Sequence, residues 1–285
     1  MKASADRLYK DVAALTSIEP ARHYQNYESL EKATSYITEQ LQQLGLTVTE
    51  QPFKVDGHTY KNISALLPGA GEARVVVGAH YDVCGDQPGA DDNASGIAGL
   101  LETARLLTTL PALPYPIELV AFCLEEPPFF ATENMGSAVH AKSLHQAGTR
   151  VKSMICYEMI GYFSDVPGSQ RFPDETLKQY YPHEGNFIAV VGNAGQQEFT
   201  QRFQKLMQPH AAIDVQAVNL PQAYGLVGLS DHRNYWKYGI EAIMINDSSF
   251  LRNPNYHQKT DTIDTLDFKR MAEVVTGTTR ALTQL

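Results

Sequence analysis

Apolar and polar positions follow two different periods along this chain, and the switches between them outline its elements. In SLEKATSYITEQLQQLG, residues 29–45, Leu30, Ala33, Ile37, Leu41 and Leu44 share one face at helical spacing, and Gly45 offers a C-cap. The runs ARVVVGAH and IELVAFCLEE are apolar, β-branched and too short for buried helices, so they predict central strands. Between them NASGIAGLLETARLLTTL is helical in period, which gives strand, helix, strand from about 74 to 125. KSMICYEM, NFIAVVGN and EAIMIND predict further strands, with helices near QQEFTQRFQKLM and over TLDFKRMAEVVTGTTRALTQL. The alternation predicts an α/β fold, a mostly parallel central sheet with helices on both faces. No repeat, low-complexity tract or Pro/Gly/Ser linker divides the chain, so one domain over residues 1–285 is expected. The stretch from Ser164 to Gly185 is long and rich in turn residues, and predicts an excursion over the surface or over a site.

Composition narrows the partners. A net charge of −9 over 285 residues argues against nucleic acid or an anionic membrane surface; acidity of this size mostly serves solubility and would also attract metal cations and cationic substrates. Cys84, Cys123 and Cys156 form no CxxC pair and are odd in number, so small buried thiols are expected rather than a disulfide framework. The first twenty residues hold no apolar signal core and no run reaches the length of a membrane span. The expected location is the cytoplasm, or the periplasm or exterior if a leader has been removed.

Open α/β sheets bind ligands at the carboxyl ends of their strands. There VVVGAHYD ends in His80 and Asp82, ELVAFCLEE in Glu125 and Glu126, and SMICYE in Glu158, while AIMIND leads to Tyr256 and His257. Clustered acids stay ionised in a partly buried place only when a cation offsets them. A mixed imidazole and carboxylate set suits zinc, whereas calcium and magnesium favour oxygen alone.

In order, GAHYD, PGADDNASG, LEE, MIGYF, SDHRNYW and NYHQKTDTIDTLD resemble the co-catalytic zinc aminopeptidases, peptidase family M28, which are related to glutaminyl cyclases and glutamate carboxypeptidases. The resemblance spans roughly residues 74 to 267. It implies that His80 and Glu158 bind one zinc, Glu126 and His257 a second, and Asp92 bridges both. Glu158 stands where the family usually has aspartate, so one zinc per chain is the alternative to two. Glu125 matches the general base, Asp82 the acid that orients His80, and Tyr256 a tyrosine that helps hold the developing oxyanion. The implied activity is removal of N-terminal residues from peptides with a free amino terminus, by water bridged between the metals with Glu125 taking its proton. A one-zinc glutaminyl cyclase is the second reading, and a binding homologue without catalysis the third.

Local physics leaves several points open. Asp91 and Asp92 both precede a helical run, where an aspartate also serves as an N-cap. Only the family register selects Asp92, and Asp91 is expected to cap or to sit in a loop. Glu125 and Glu126 would face opposite ways in a regular strand; Pro127 and Pro128 are expected to break it so that both reach one site. The lengthened loop EEPPFFATENMGS is expected to bring Phe129, Phe130 and Glu133 to the substrate pocket, with Glu133 holding an amino terminus. His232 is read as site wall and Asp86 as a solvated loop residue. Ser230, Asp231 and His232 are too close in sequence for a catalytic triad, and no GxSxG, HExxH or complete GxGxxG occurs.

Overall fold

The short β-branched runs become strands because both faces of the sheet are covered. The computed structural model describes residues 1–285. Its strands are β1 (Val48–Val55), β2 (His58–Leu67), β3 (Arg74–His80), β4 (Ile117–Phe122), β5 (Val151–Glu158), β6 (Phe187–Asn193), β7 (Asp214–Leu220) and β8 (Glu241–Asn246). They form one sheet in the order β1-β2-β4-β3-β5-β8-β6-β7. The centre, β4-β3-β5-β8, is parallel, as is β6-β7, while β1-β2, β2-β4 and β8-β6 pair antiparallel. The sheet is therefore mostly parallel at its centre and mixed at its flanks.

Helices α1 (Ala5–Thr16), α2 (Tyr27–Gln43), α3 (Gly96–Leu107), α4 (Gly136–Gln146), α5 (Gln197–Met207), α6 (Arg233–Trp236) and α7 (Phe268–Leu282) complete the layers. Strand residues alternate between two cores. Val75, Val77, Leu119, Ile155 and Ile243 join the larger one with residues of α1, α2, α3, α5 and α7. Val76, Val120, Met154 and Met244 join the smaller one with Ala141 and Leu144 of α4 and Tyr235 of α6. Period-two alternation between two covered faces is what turns these runs into all-apolar segments. No helix is long and apolar enough to cross a membrane.

Several elements lie outside the sequence expectation, among them the β1–β2 hairpin, β7 and α1. The β1–β2 hairpin turns at Asp56 (φ 50°) and Gly57 (φ 83°) between paired Val55 and His58. An Asp-Gly pair is the signal for that turn and was available in the sequence. Strand β7 is only half buried and too polar to stand out, and α1 carries its apolar face in a mixed-charge stretch. Strand β4 also ends sooner than expected. It stops at Phe122, and the chain turns at Leu124 (φ 62°), ahead of the prolines.

Parallel pairing puts the carboxyl ends of β3, β4, β5 and β8 on one rim. His80 pairs with Phe122, and Glu158 with Asn246, at that edge.

Candidate metal centre

At this rim the side chains converge. His80 Nε2 lies 3.4 Å from Asp92 Oδ1 and 3.3 Å from Glu158 Oε2. His257 Nε2 lies 3.1 Å from the other Asp92 oxygen, Oδ2, and 3.3 Å from Glu126 Oε2. One carboxylate thus faces two imidazoles, each with a further acid beside it. His80, Asp92 and Glu158 place one donor atom each within 4.8 Å of one another. The longer side chain of Glu158 reaches this group while its Oε2 accepts from Ser230 Oγ at 2.6 Å. Glu125 approaches from the side, Oε2 3.9 Å from His80 Nε2. The Tyr256 ring stacks on His257 with centroids 3.8 Å apart. The eight residues picked from the sequence as metal ligands or catalytic groups all come to this rim, Asp82 one layer behind it.

Backbone geometry points the same way. Leu124 (φ 62°), Met159 (φ 48°) and His257 (φ 56°) adopt left-handed conformations beside or within the cluster. Such conformations cost roughly 1–3 kcal/mol each and persist where the surroundings over-determine them, commonly at functional sites.

The electrostatics describe a site built for cations. Burial pushes the Glu126 carboxyl up to about 8, with the charge of Asp92 adding to it. Burial likewise drives Glu125 well above the carboxylate range, opposed by His80 and reinforced by Glu158 and Glu126. Asp92 resists its own burial because His257 and His80 hold it below the usual range. His257 rises to about 10 against burial, drawn by Asp92 and Glu126. Glu126 Oε1 is buried with no hydrogen-bond partner. Acids crowded so closely, one of them with an orphaned oxygen, fit divalent cations bound by imidazole and carboxylate.

Two further carboxylates hold the turns that present these groups. Asp82 accepts from the amides of Glu125 (3.2 Å) and Glu126 (3.1 Å), so it fixes the turn after β4 as well as lying 3.6 Å from His80 Nδ1. Asp261 does the same for the other acidic pair, accepting from the amides of Asp91 (2.9 Å) and Asp92 (3.1 Å). Asp261→Asn turns one acceptor into a donor and breaks this clamp. Its zinc affinity, measured by competition with a chelating dye, is expected to fall about 10–100-fold, the usual cost of losing an outer support. Unchanged affinity would remove Asp261 from the site's scaffold.

Several expectations need correcting. Asp91 caps no helix and is no exposed loop residue: it is fully buried, accepts from Gly161 N and Asn253 Nδ2, and α3 begins only at Gly96. Phe129 packs in the larger core against Tyr24 and Tyr60, because the loop folds back onto the hairpin. Glu133 stands in solvent 4.0 Å from Lys142, remote from the acids, since the same fold-back carries it outward. Phe130 alone of the three lines the acid pocket. Cys123 and Cys156 are buried as expected, whereas Cys84 is not. His232 is buried with Nε2 2.7 Å from Val227 O, and burial pulls it down to about 4. Asp86 is exposed and pairs with Lys259.

Sequence reasoning also passed over Arg22, and weighed Asp231 only as a triad member and dismissed it. Arg22 threads the loops behind the cluster from far upstream, with no local signal. Asp231 is fully buried with neither oxygen hydrogen-bonded, and burial pushes it up to about 7. Its neighbour Ser230, bonded to Glu158, was the available signal.

Beside the acid pocket lies an apolar cavity, and the two share Leu229, Ser249 and Phe250 as a common wall. The 164–185 excursion closes that cavity with Phe172, Leu177 and Tyr181.

A sheet parallel at its centre with such a donor set at its carboxyl rim has the form of a metallopeptidase. The chain belongs to peptidase family M28, whose profile matches residues 62–280. It is 42% identical over 284 residues to YfbL of Escherichia coli (strain K12), an uncharacterized protein, covering 96% of this chain and 86% of that one. It is 26% identical over 284 residues to a probable leucine aminopeptidase of Trichophyton verrucosum (strain HKI 0517), covering 95% and 70%. Two solved structures share the fold at 19% identity. The LapA aminopeptidase of Legionella pneumophila has a TM-score of 0.78 over 99% of this chain and 72% of its own. A glutaminyl cyclase of Bacteroides thetaiotaomicron has a TM-score of 0.76 over 100% and 99%. The family resemblance carried by the motifs holds, and the aminopeptidase and cyclase folds are equally near.

Proposed function

We propose that this protein is a zinc aminopeptidase of a single catalytic domain, with two cations per chain. The observation that carries the reading is Asp92, whose two oxygens face His80 and His257 separately. His80 and Glu158 would hold one cation and Glu126 and His257 the other, with Asp92 shared. When bound, the cations supply Lewis acidity and lower the pKa of water toward neutrality. Glu125 takes the proton of the attacking water and returns it to the leaving amine, a role its buried position beside His80 suits. Asp82 keeps Glu125 and Glu126 in register through their amides. The Tyr256 hydroxyl is the neutral donor for the developing oxyanion, because burial and then the charge of Asp92 keep it protonated far above its ordinary value.

The adjoining apolar cavity supports an apolar N-terminal side chain as substrate. The expected substrate is a short peptide with Leu, Met or Phe first. Metal analysis with parallel assays tests this: about two zincs per chain, release of free amino acid, and roughly tenfold or greater preference for leucyl over aspartyl anilides are expected. One zinc and pyroglutamate from glutaminyl peptides would replace this reading with the cyclase. Metal without turnover would replace it with a binding homologue.

A further inference from the structure

Cys84 follows His80 by four residues and has no part in either ligand set above. Its Sγ, a carboxylate oxygen of Glu126 and a ring nitrogen of His257 nevertheless lie within 4.8 Å of one another. A second observation marks the same spot: Glu126, only 4% exposed, keeps Oε1 buried without any hydrogen-bond partner. With Oε2 beside His257 and Oε1 meeting neither a donor nor solvent, this acid next to a thiol and an imidazole forms a donor set rather than a chance packing contact. The other two cysteines are spent elsewhere. Cys123 sits in the larger core and Cys156 contacts Ser230 Oγ at 3.2 Å.

We propose that Cys84 is a fourth protein donor to the cation at Asp92, Glu126 and His257. This rests on the two-cation reading and makes the two positions chemically unlike. Carboxylate, imidazole and thiolate are all zinc ligands, and four protein donors close a tetrahedral shell, as in structural sites. The position at His80, Asp92 and Glu158 has three protein donors, the number that leaves a place open. Glu125 stands beside that open position, 3.9 Å from His80 Nε2. The His257 position therefore anchors its cation, and the His80 position is the one that exchanges ligands. Binding releases the thiol proton to solvent, so no redox partner is needed.

The test replaces zinc by cobalt(II) in the full-length protein and records its absorption with cobalt content measured in parallel. A thiolate donor gives a sulfur-to-cobalt charge-transfer band in the near ultraviolet. The expected result is that band in the wild-type protein and its loss in Cys84→Ser and Cys84→Ala. Cadmium, which favours sulfur, is expected to bind Cys84→Ser at least tenfold more weakly at one position and unchanged at the other. Two cobalts bound without the band overturn the role of Cys84 and leave the metallopeptidase reading intact. A band that persists in both variants overturns it too, by assigning the sulfur to another residue. Failure to bind cobalt at all overturns the two-cation reading on which the proposal stands.

Discussion

Glu125→Gln is expected to lower kcat on aminoacyl anilides by about 10²–10⁴-fold while metal content stays at the wild-type level, the range lost when a positioned proton carrier is removed. Gln has the same shape and cannot accept a proton from water at neutral pH. The backbone amide at this position still donates to Asp82, so the turn that presents Glu126 is kept. Glu125 lies within 4.8 Å of donor atoms of His80 and Glu126 but belongs neither to the His80–Asp92–Glu158 group nor to the His257–Asp92–Glu126 contacts. KM should therefore move only a few-fold, separating loss of proton transfer from loss of binding. Peptidase activity that survives the substitution would end the assignment of Glu125 as the base.

The second large effect is on stability. Arg22 is 1% exposed and its guanidinium donates to four carbonyls, Leu15 (2.7 Å), Tyr81 (2.9 Å), Pro88 (2.9 Å) and Gly89 (3.0 Å). Burial pulls its pKa down to about 10, with Asp261, Asp82 and Asp92 opposing, so it remains a cation at neutral pH. Arg22→Met removes every donor and leaves those carbonyls, and the nearby buried acids, without compensation. Orphaning one side of such a buried charged network costs about 3–5 kcal/mol. Urea unfolding should show that loss as a lower midpoint with an unchanged slope. Arg22→Lys should recover only a small part, because a single ammonium cannot reproduce a planar fork reaching four acceptors. A stability change under about 1 kcal/mol would mean that water takes over the carbonyls. Because Tyr81 and Gly89 flank the loop between His80 and Asp92, the same variant should also bind zinc less tightly.

Much of this molecule was legible in the chain. The β-branched runs ending in His80, Glu158 and Asn246 announced buried parallel strands, and parallel strands end on one rim, so the ionisable residues after them had to meet. Helices α2, α3, α5 and α7 followed from their apolar stripes. The hairpin was legible too, through Asp56-Gly57, although its half-exposed strands alternate too weakly to signal by burial.

Other choices depended on atoms distant in sequence. Asp91 and Asp92 are chemically identical neighbours. Asp261, about 170 residues on, grips both amides, so that one side chain meets the imidazoles and the other is held by Gly161 and Asn253. Glu125 and Glu126 are turned into one pocket by the bend at Leu124 and the grip of Asp82, not by the prolines. Phe129 and Glu133 were drawn away from the pocket by a core that only the folded hairpin creates. The sequence by itself determined the layers, the rim and the kinds of donor on it, because periodicity and strand ends are local properties. The tertiary structure alone decided that Asp92 rather than Asp91 meets the imidazoles, that Arg22 braces the loop between His80 and Asp92, and that Cys84 stands beside Glu126 and His257, because hydrogen-bond partners of buried charges are fixed by the whole fold.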